Sequence, residues 1–181
     1  LSPYGESKLM TEMMLESYAN AYGLNLTIFR YFNVCGADSQ SRHGQAPGAT
    51  HIIARVLEAL RDGGDITING RDYPTPDETC VRDYVHVEDI AQAHLLAVEK
   101  QVNGVYNLGT GTGYSNLEIL DTALAVTNKP DYQVGWGDSR PGDPAVLVGS
   151  AEKFNTQTGW TPTHDLDSII RTAWQWYNRG L

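Results

Sequence analysis

Cysteine is scarce in this 181-residue chain. Cys35 and Cys80 are the only two, far apart and without a C-x-x-C spacing, which leaves no disulfide framework and suits a reduced, cytoplasmic setting. Long apolar runs are missing too. No stretch approaches the roughly 18 consecutive apolar residues of a membrane-spanning helix, so no membrane partner is expected. No signal peptide is visible, although a chain without its true start cannot be read for one. Positive charge is in deficit: 13 Lys plus Arg face 22 Asp plus Glu, a net charge of -9. Nucleic-acid affinity rests on clustered cations, so no nucleic-acid partner is expected. The five histidines (His43, His51, His86, His94, His164) form neither an H-E-x-x-H motif nor a close Cys/His set, and no metal site is expected. His86 and His94 read as packing or surface residues. An initiating methionine is also absent, since residue 1 is Leu1, and the expectation is a cut chain.

What is present is enough apolar character, 41% of residues, for one sizeable core. Residues 3–22 are predicted helical: Ser2 caps, Pro3 suits the first turn and Gly23 stops the helix, with Leu9, Met13, Ala19 and Tyr22 as its apolar stripe. The run "NLTIFRYF" (25–32) reads as a strand buried on both faces, which makes the N-L-T sequon at Asn25 accidental. A helix in "ATHIIARVLEALRDGG", a strand "ITIN" and a loop over 70–80 follow. "VRDYVHV" reads as extended, "EDIAQAHLLAVEK" as helical with Glu88 and Asp89 in its first turn, and "GVYNLG" as extended. A helix at 115–127, a strand at 132–136 and helices near 151–158 and 165–179 complete the chain. Alternating helices and strands imply an α/β fold with parallel pairing. No internal repeat or low-complexity linker interrupts it.

Tyr4 and Lys8 stand at i and i+4, on one face of the first predicted helix. An ammonium beside a phenol favours phenolate, but a useful tyrosine base near pH 7 needs its pKa lowered by roughly 3, about 4 kcal/mol of differential stabilisation. An amphipathic helix carrying an incidental Tyr and Lys fits the spacing equally well. Arg82 and Arg140 stand near Gly, Pro and Asp in predicted loop or strand-edge settings. Guanidinium grips a pyrophosphate bidentately, although each arginine taken singly also reads as a surface salt bridge. "NLGTGTGYS" suggests a phosphate loop. After Gly109 and Gly111, however, Tyr114 fails the third glycine of G-x-G-x-x-G, and a tight strand-to-helix turn is expected.

"SPYGESK" at a helix start, followed by the strand "IFRYFNVCGA", resembles the extended short-chain dehydrogenase/reductase family. "NGRDYPTPDETCVRDYVHVEDIAQAH", "VYNLGTGTGYS" and "RPGDPAVLVGSAEK" narrow the resemblance to its UDP-glucose 4-epimerases, from Pro3 to the "TAWQW" helix. Tyr-x3-Lys marks only the broad family; the long "NGRDYPTPDE" block is far more specific. The resemblance implies the last elements of an NAD-binding Rossmann fold interleaved, over 1–181, with a smaller mixed α/β sugar-nucleotide domain. It implies interconversion of UDP-glucose and UDP-galactose by NAD-dependent oxidation and re-reduction at C4. Tyr4 is then the catalytic base and Lys8 its partner on the cofactor ribose, with Tyr31 and Phe32 as the wall beside nicotinamide and sugar.

On the substrate side, the resemblance makes Arg82 and Arg140 a clamp on the UDP diphosphate, which Asn33 also touches, and gives Asp143 the uridine ribose. His51, Ile52, Thr67 and Asn69 join the nucleotide contacts, although Asn69 replaces an aromatic residue that can stack near uracil. Leu147 stands where the size of the sugar pocket is gated. The glycine-rich loop, its acidic ribose partner and a catalytic Ser or Thr precede this helix in the resembled enzymes. A complete relative therefore carries about 130 to 150 more residues, one ordinary domain's worth, and this chain reads as the carboxy-terminal portion, inactive alone and dimeric when complete. Two other readings stay open: a non-catalytic UDP-sugar-binding module, and a related nucleotide-sugar dehydratase or decarboxylase. An unpaired apolar strand edge and helix face are expected to make the isolated chain associate.

Overall fold

The computed structural model describes residues 2–179, which form an α/β fold with parallel pairing. In chain order the elements are α1 (Pro3–Tyr22), β1 (Thr27–Tyr31), β2 (Asn33–Cys35), α2 (Ile52–Asp62), β3 (Ile66–Asn69), β4 (Val81–His86) and α3 (Val87–Glu99). Then come β5 (Gly104–Leu108), β6 (Gly113–Ser115), α4 (Asn116–Thr127), β7 (Val134–Gly137), β8 (Val146–Leu147), α5 (Glu152–Thr158) and α6 (Leu166–Asn178). The helix starts follow their local chemistry. Ser2 Oγ accepts from Gly5 N–H at 3.2 Å to open α1, and Ser115 and Glu118 exchange side-chain-to-backbone bonds in a capping box at α4.

β1 runs parallel to β5, and β3 parallel to β7. β4 changes partners along its length. Tyr84–His86 pair with β2, while Val81–Asp83 pair with antiparallel β6 and Val81–Arg82 also with β8. Because side chains alternate across a strand, β4 divides two apolar clusters. Tyr84 joins one with Ile53, Leu57, Ile68, Ile119 and Ile170 from α2, β3, α4 and α6. Val85 joins the other with Ala93, Tyr106, Leu108, Phe154 and Trp160. The chain crosses between the clusters several times, so neither is contiguous in sequence.

Two expectations need correction. The run "IFRYFNVCGA" is not one strand: at Phe32, whose N–H still bonds Leu108 O at 3.2 Å, pairing passes from β5 to β4. β1 is not buried on both faces either, because only Ile28 in it is buried and, among the described residues, β5 is the one strand it pairs with. Asn25 precedes this strand and is exposed, so burial does not argue against its sequon. The exposed apolar helix face that was expected is found on α1, where Ala19 alone of the stripe is half-buried. None of its residues is buried, and Leu9, Met13 and Tyr22 are exposed; the helix is tied down by Glu12, which receives a two-pronged bond from Arg30 at 2.9 and 2.5 Å.

The C-terminal segment is anchored on α3. Buried Asp89 accepts from Thr163 N–H and Oγ1 and from His164 N–H, and its carbonyl accepts from Trp160 Nε1 at 2.9 Å. The His164 ring stacks on fully buried His86 at 4.0 Å. His86 Nδ1 accepts from Glu88 N–H at 3.0 Å, so in the neutral ring Nε2 carries the hydrogen toward Thr172 Oγ1 at 2.8 Å. Burial, then the neighbouring His164, holds the His86 pKa below the ordinary imidazole value, against an opposing pull from Glu88 and Asp89. The unfolded chain therefore binds this proton first on acidification, so the contribution is complete above about pH 6.5 and is lost as pH falls toward the folded pKa. Urea midpoints are expected to hold from about pH 8 to 7 and decline between about pH 6.5 and 5; a midpoint flat to pH 5 contradicts the assignment.

Candidate functional site

A cleft of about 430 Å3 opens where β2, the start of α2, β3 and β4 face the loops at 70–80 and 140–143. It gathers Phe32, Asn33, His51, Ile52, Thr67, Asn69, Arg82, Arg140 and Asp143, residues dispersed over more than half the sequence. Strand alternation turns Arg82 and Tyr84 toward it together. Thr67 and Asn69 alternate in the same way on β3 with buried Ile66 and Ile68. His51 occupies the N-cap of α2 without a side-chain capping bond, so the first amides of that helix keep their capacity toward the cleft.

Arg140 and Asp143 are brought side by side by a turn that "RPGD" dictates. Pro141 fixes the first corner, Gly142 adopts φ +80°, and Asp143 N–H closes onto Arg140 O at 3.1 Å, as a type II turn requires. Asp143 Oδ1 accepts from Arg82 Nη2 at 2.5 Å, while Arg82 Nη1 donates to Val81 O at 2.8 Å. Tyr73 Oη stands 3.5 Å from the other Asp143 oxygen, and burial together with that charge raises the tyrosine pKa. The Arg82 guanidinium is thus oriented before any ligand arrives.

Behind Arg82 lies fully buried Asp83. Its carboxylate accepts from Thr110 N–H at 2.9 and 3.0 Å, Thr110 Oγ1 at 2.7 Å, Gly111 N–H at 3.0 Å and Gly149 N–H at 3.2 Å. The glycine-rich "GTGTG" turn therefore cradles the chain's own carboxylate, and its amides are not available to a phosphate. Close approach explains two glycines here. A Cβ on Gly109 would meet Asp83 Oδ2 at 2.6 Å, and one on Gly149 would enter the Phe32 ring.

Other sequence-stated residues lie outside the cleft lining. Tyr4 and Lys8 share a face of α1, with Lys8 Nζ 5.4 Å from the Tyr4 ring centroid, and Tyr4 is 71% exposed. Tyr31 Oη pairs with His94 Nε2 at 2.8 Å, which makes His94 a packing partner. Leu147 pairs in register with Arg82 on β8 and is half-exposed. The structure adds Arg55, Tyr73, Cys80, Tyr84 and Asn116 to the lining; Tyr73, Cys80 and Tyr84 lie in the long "NGRDYPTPDETCVRDYVHVEDIAQAH" block, whereas Arg55 and Asn116 carried no signal. Metal-type donors meet among the described residues at His86, Glu88 and His164, away from the cleft, where both His86 nitrogens already have partners.

The residues present suit only one end of a nicotinamide dinucleotide: Tyr4 and Lys8 offer exposed groups to a ribose, whereas the amides of the one glycine-rich turn are taken by Asp83. Residues 1–109 match the NAD dependent epimerase/dehydratase family, and the chain belongs to that family. It is 46% identical to a UDP-glucose 4-epimerase of Azospirillum brasilense, over 97% of this chain and 52% of the relative. With the Lactobacillus helveticus enzyme of the same name the identity is 45%, over 98% and 56%. A crystal structure of UDP-glucose 4-epimerase from Bifidobacterium longum in complex with NAD+ and UDP superposes with a TM-score of 0.89 at 32% identity, covering 99% of this chain and 55% of that one. The chain thus spans about half the length of the curated relatives it matches. Among the described residues no helix is long and apolar enough to cross a membrane.

Asp83→Ala removes a fully buried carboxylate and with it the acceptor of the Thr110, Gly111 and Gly149 amides. Asp83→Ala is expected to cost about 3 kcal/mol or more, read as a lowered urea midpoint; a wild-type midpoint would remove Asp83 from the account.

Proposed function

We propose that this chain supplies the nucleotide-sugar cleft and the base-bearing helix of an epimerase that interconverts UDP-glucose and UDP-galactose. The observation that carries the reading is the convergence of Arg82, Arg140, Asp143 and Asn33 on one cleft in a chain of net charge -9. Family membership and the named relatives support it. Arg140 and Arg82 grip the diphosphate, Arg82 from the orientation Asp143 gives it. Asp143 keeps acceptor capacity on both oxygens for the ribose hydroxyls, and the first amides of α2 favour negative charge in the same cleft.

For the chemistry, NAD when bound would supply reversible hydride transfer at C4 of the sugar, held by Tyr4 and Lys8 at its ribose and by Tyr31 and Phe32 beside the nicotinamide. The groups of this chain handle the proton. Tyr4 takes it from the 4-hydroxyl and gives it back, with the Lys8 ammonium 5.4 Å from its ring centroid. Since the described residues offer no amide cradle for the cofactor's diphosphate, the 181 residues alone bind UDP and do not turn sugar over. The exposed face of α1 is the surface on which a second protomer docks, and the location is cytoplasmic.

Calorimetry with UDP on the isolated chain tests the cleft. Saturable binding, weakened about tenfold by Arg140→Ala, is expected; no heat at millimolar UDP contradicts the reading. In the complete enzyme, Tyr4→Phe is expected to lower turnover by about 100-fold or more with UDP affinity unchanged. Ordinary turnover in that variant would remove Tyr4 as the base.

A further inference from the structure

Most arginines among the described residues are paired. Arg30, Arg42, Arg61, Arg82 and Arg171 hold Glu12, Asp38, Asp62, Asp143 and Asp167, and Arg71 and Arg179 lie over Trp136 and Trp176. Among the described residues, Arg55 and Arg140 are the two arginines with neither a carboxylate nor an aromatic partner, and both line the same cleft. An arginine on a helix ordinarily finds an acid three or four positions away. The acid in reach of Arg55 is Glu58, but its carboxylate accepts from Gly48 N–H at 2.9 Å. Arg55 is exposed between buried Ala54 and Val56, one turn into α2 from the uncapped His51.

We infer that Arg55 is a ligand-binding residue of this cleft, contacting the diphosphate of a nucleoside diphosphate opposite Arg140. The inference rests on the UDP-sugar reading above and adds a residue to it. Arg82 meets the ligand already neutralised by Asp143, so it orients more than it attracts. Arg55 and Arg140 hold no carboxylate within ion-pair distance, and with Arg82 they outnumber the cleft's two carboxylates, Asp65 and Asp143, so in an anionic chain they are what draws a multiply charged anion to this cleft. A planar guanidinium on a helix turn also grips phosphate oxygens in a fixed geometry that lysine does not reproduce.

The test is titration of wild-type chain, Arg55→Gln and Arg55→Lys with UDP and UDP-glucuronate by calorimetry, and with uridine by broadening of its proton resonances. Arg55→Gln is expected to bind UDP about tenfold more weakly with uridine unchanged, and Arg55→Lys to fall between. UDP affinity within about twofold of wild type in Arg55→Gln overturns the inference. So does equal weakening of uridine, which assigns Arg55 to the base, and so does a loss confined to UDP-glucuronate, which assigns it to a sugar carboxylate. Wild-type chain that binds no UDP overturns this inference together with the UDP-sugar reading. Wild-type chain that binds UDP beside an unaffected Arg55→Gln overturns this inference alone.

Discussion

A carboxylate that is fully buried must find its solvation inside the protein, and Asp83 finds it in a ring of donors from two distant segments. An ionised group without them would face a desolvation cost that no single packing contact offsets. The bonds to Thr110 and Gly111 fix the turn after β5, and the bond to Gly149 fixes the chain leaving β8. Phe32 is caught between Gly109 and Gly149, where the chain passes from the β5 pairing to the β4 pairing. Because residues alternate along β4, holding Asp83 on one side sets Arg82 and Tyr84 on the other. The same anchor that organises the turns therefore aims the cleft.

The cleft is an electropositive feature on an anionic chain. Three of its arginines act differently because their surroundings differ. Arg82, largely buried, is oriented by Asp143 and Val81 O. Arg140 is presented by a turn whose geometry Pro141 and Gly142 impose, and Arg55 is presented by a helix whose other faces are buried. The proposal assigns orientation to one and attraction to the other two, a division of labour that residue types alone do not reveal.

Much of this was legible in the amino-acid sequence, for identifiable reasons. Ser2, Pro3 and Gly23 bounded α1 because capping is local chemistry. The failed third glycine of "GTGTG" argued against a phosphate loop, and the structure supplies the physical cause in Asp83. What was not legible depends on neighbours. The break at Phe32 follows from which strand lies alongside, not from β-propensity, which runs unbroken through it. Tyr4 and Lys8 are adjacent as their spacing implied, yet spacing could not place them relative to the cleft. Arg55 carried no motif, and only the absence of a partner in three dimensions set it apart.

The central claim is that these residues by themselves build a nucleoside-diphosphate cleft. Arginine Nε–Hε resonances of the isolated chain, followed by NMR while UDP is added, report on it residue by residue. The account predicts saturable shifts at Arg55, Arg82 and Arg140, with the ion-paired Arg30, Arg42 and Arg171 unmoved. Shifts confined to those surface arginines, or none at millimolar UDP, would contradict it.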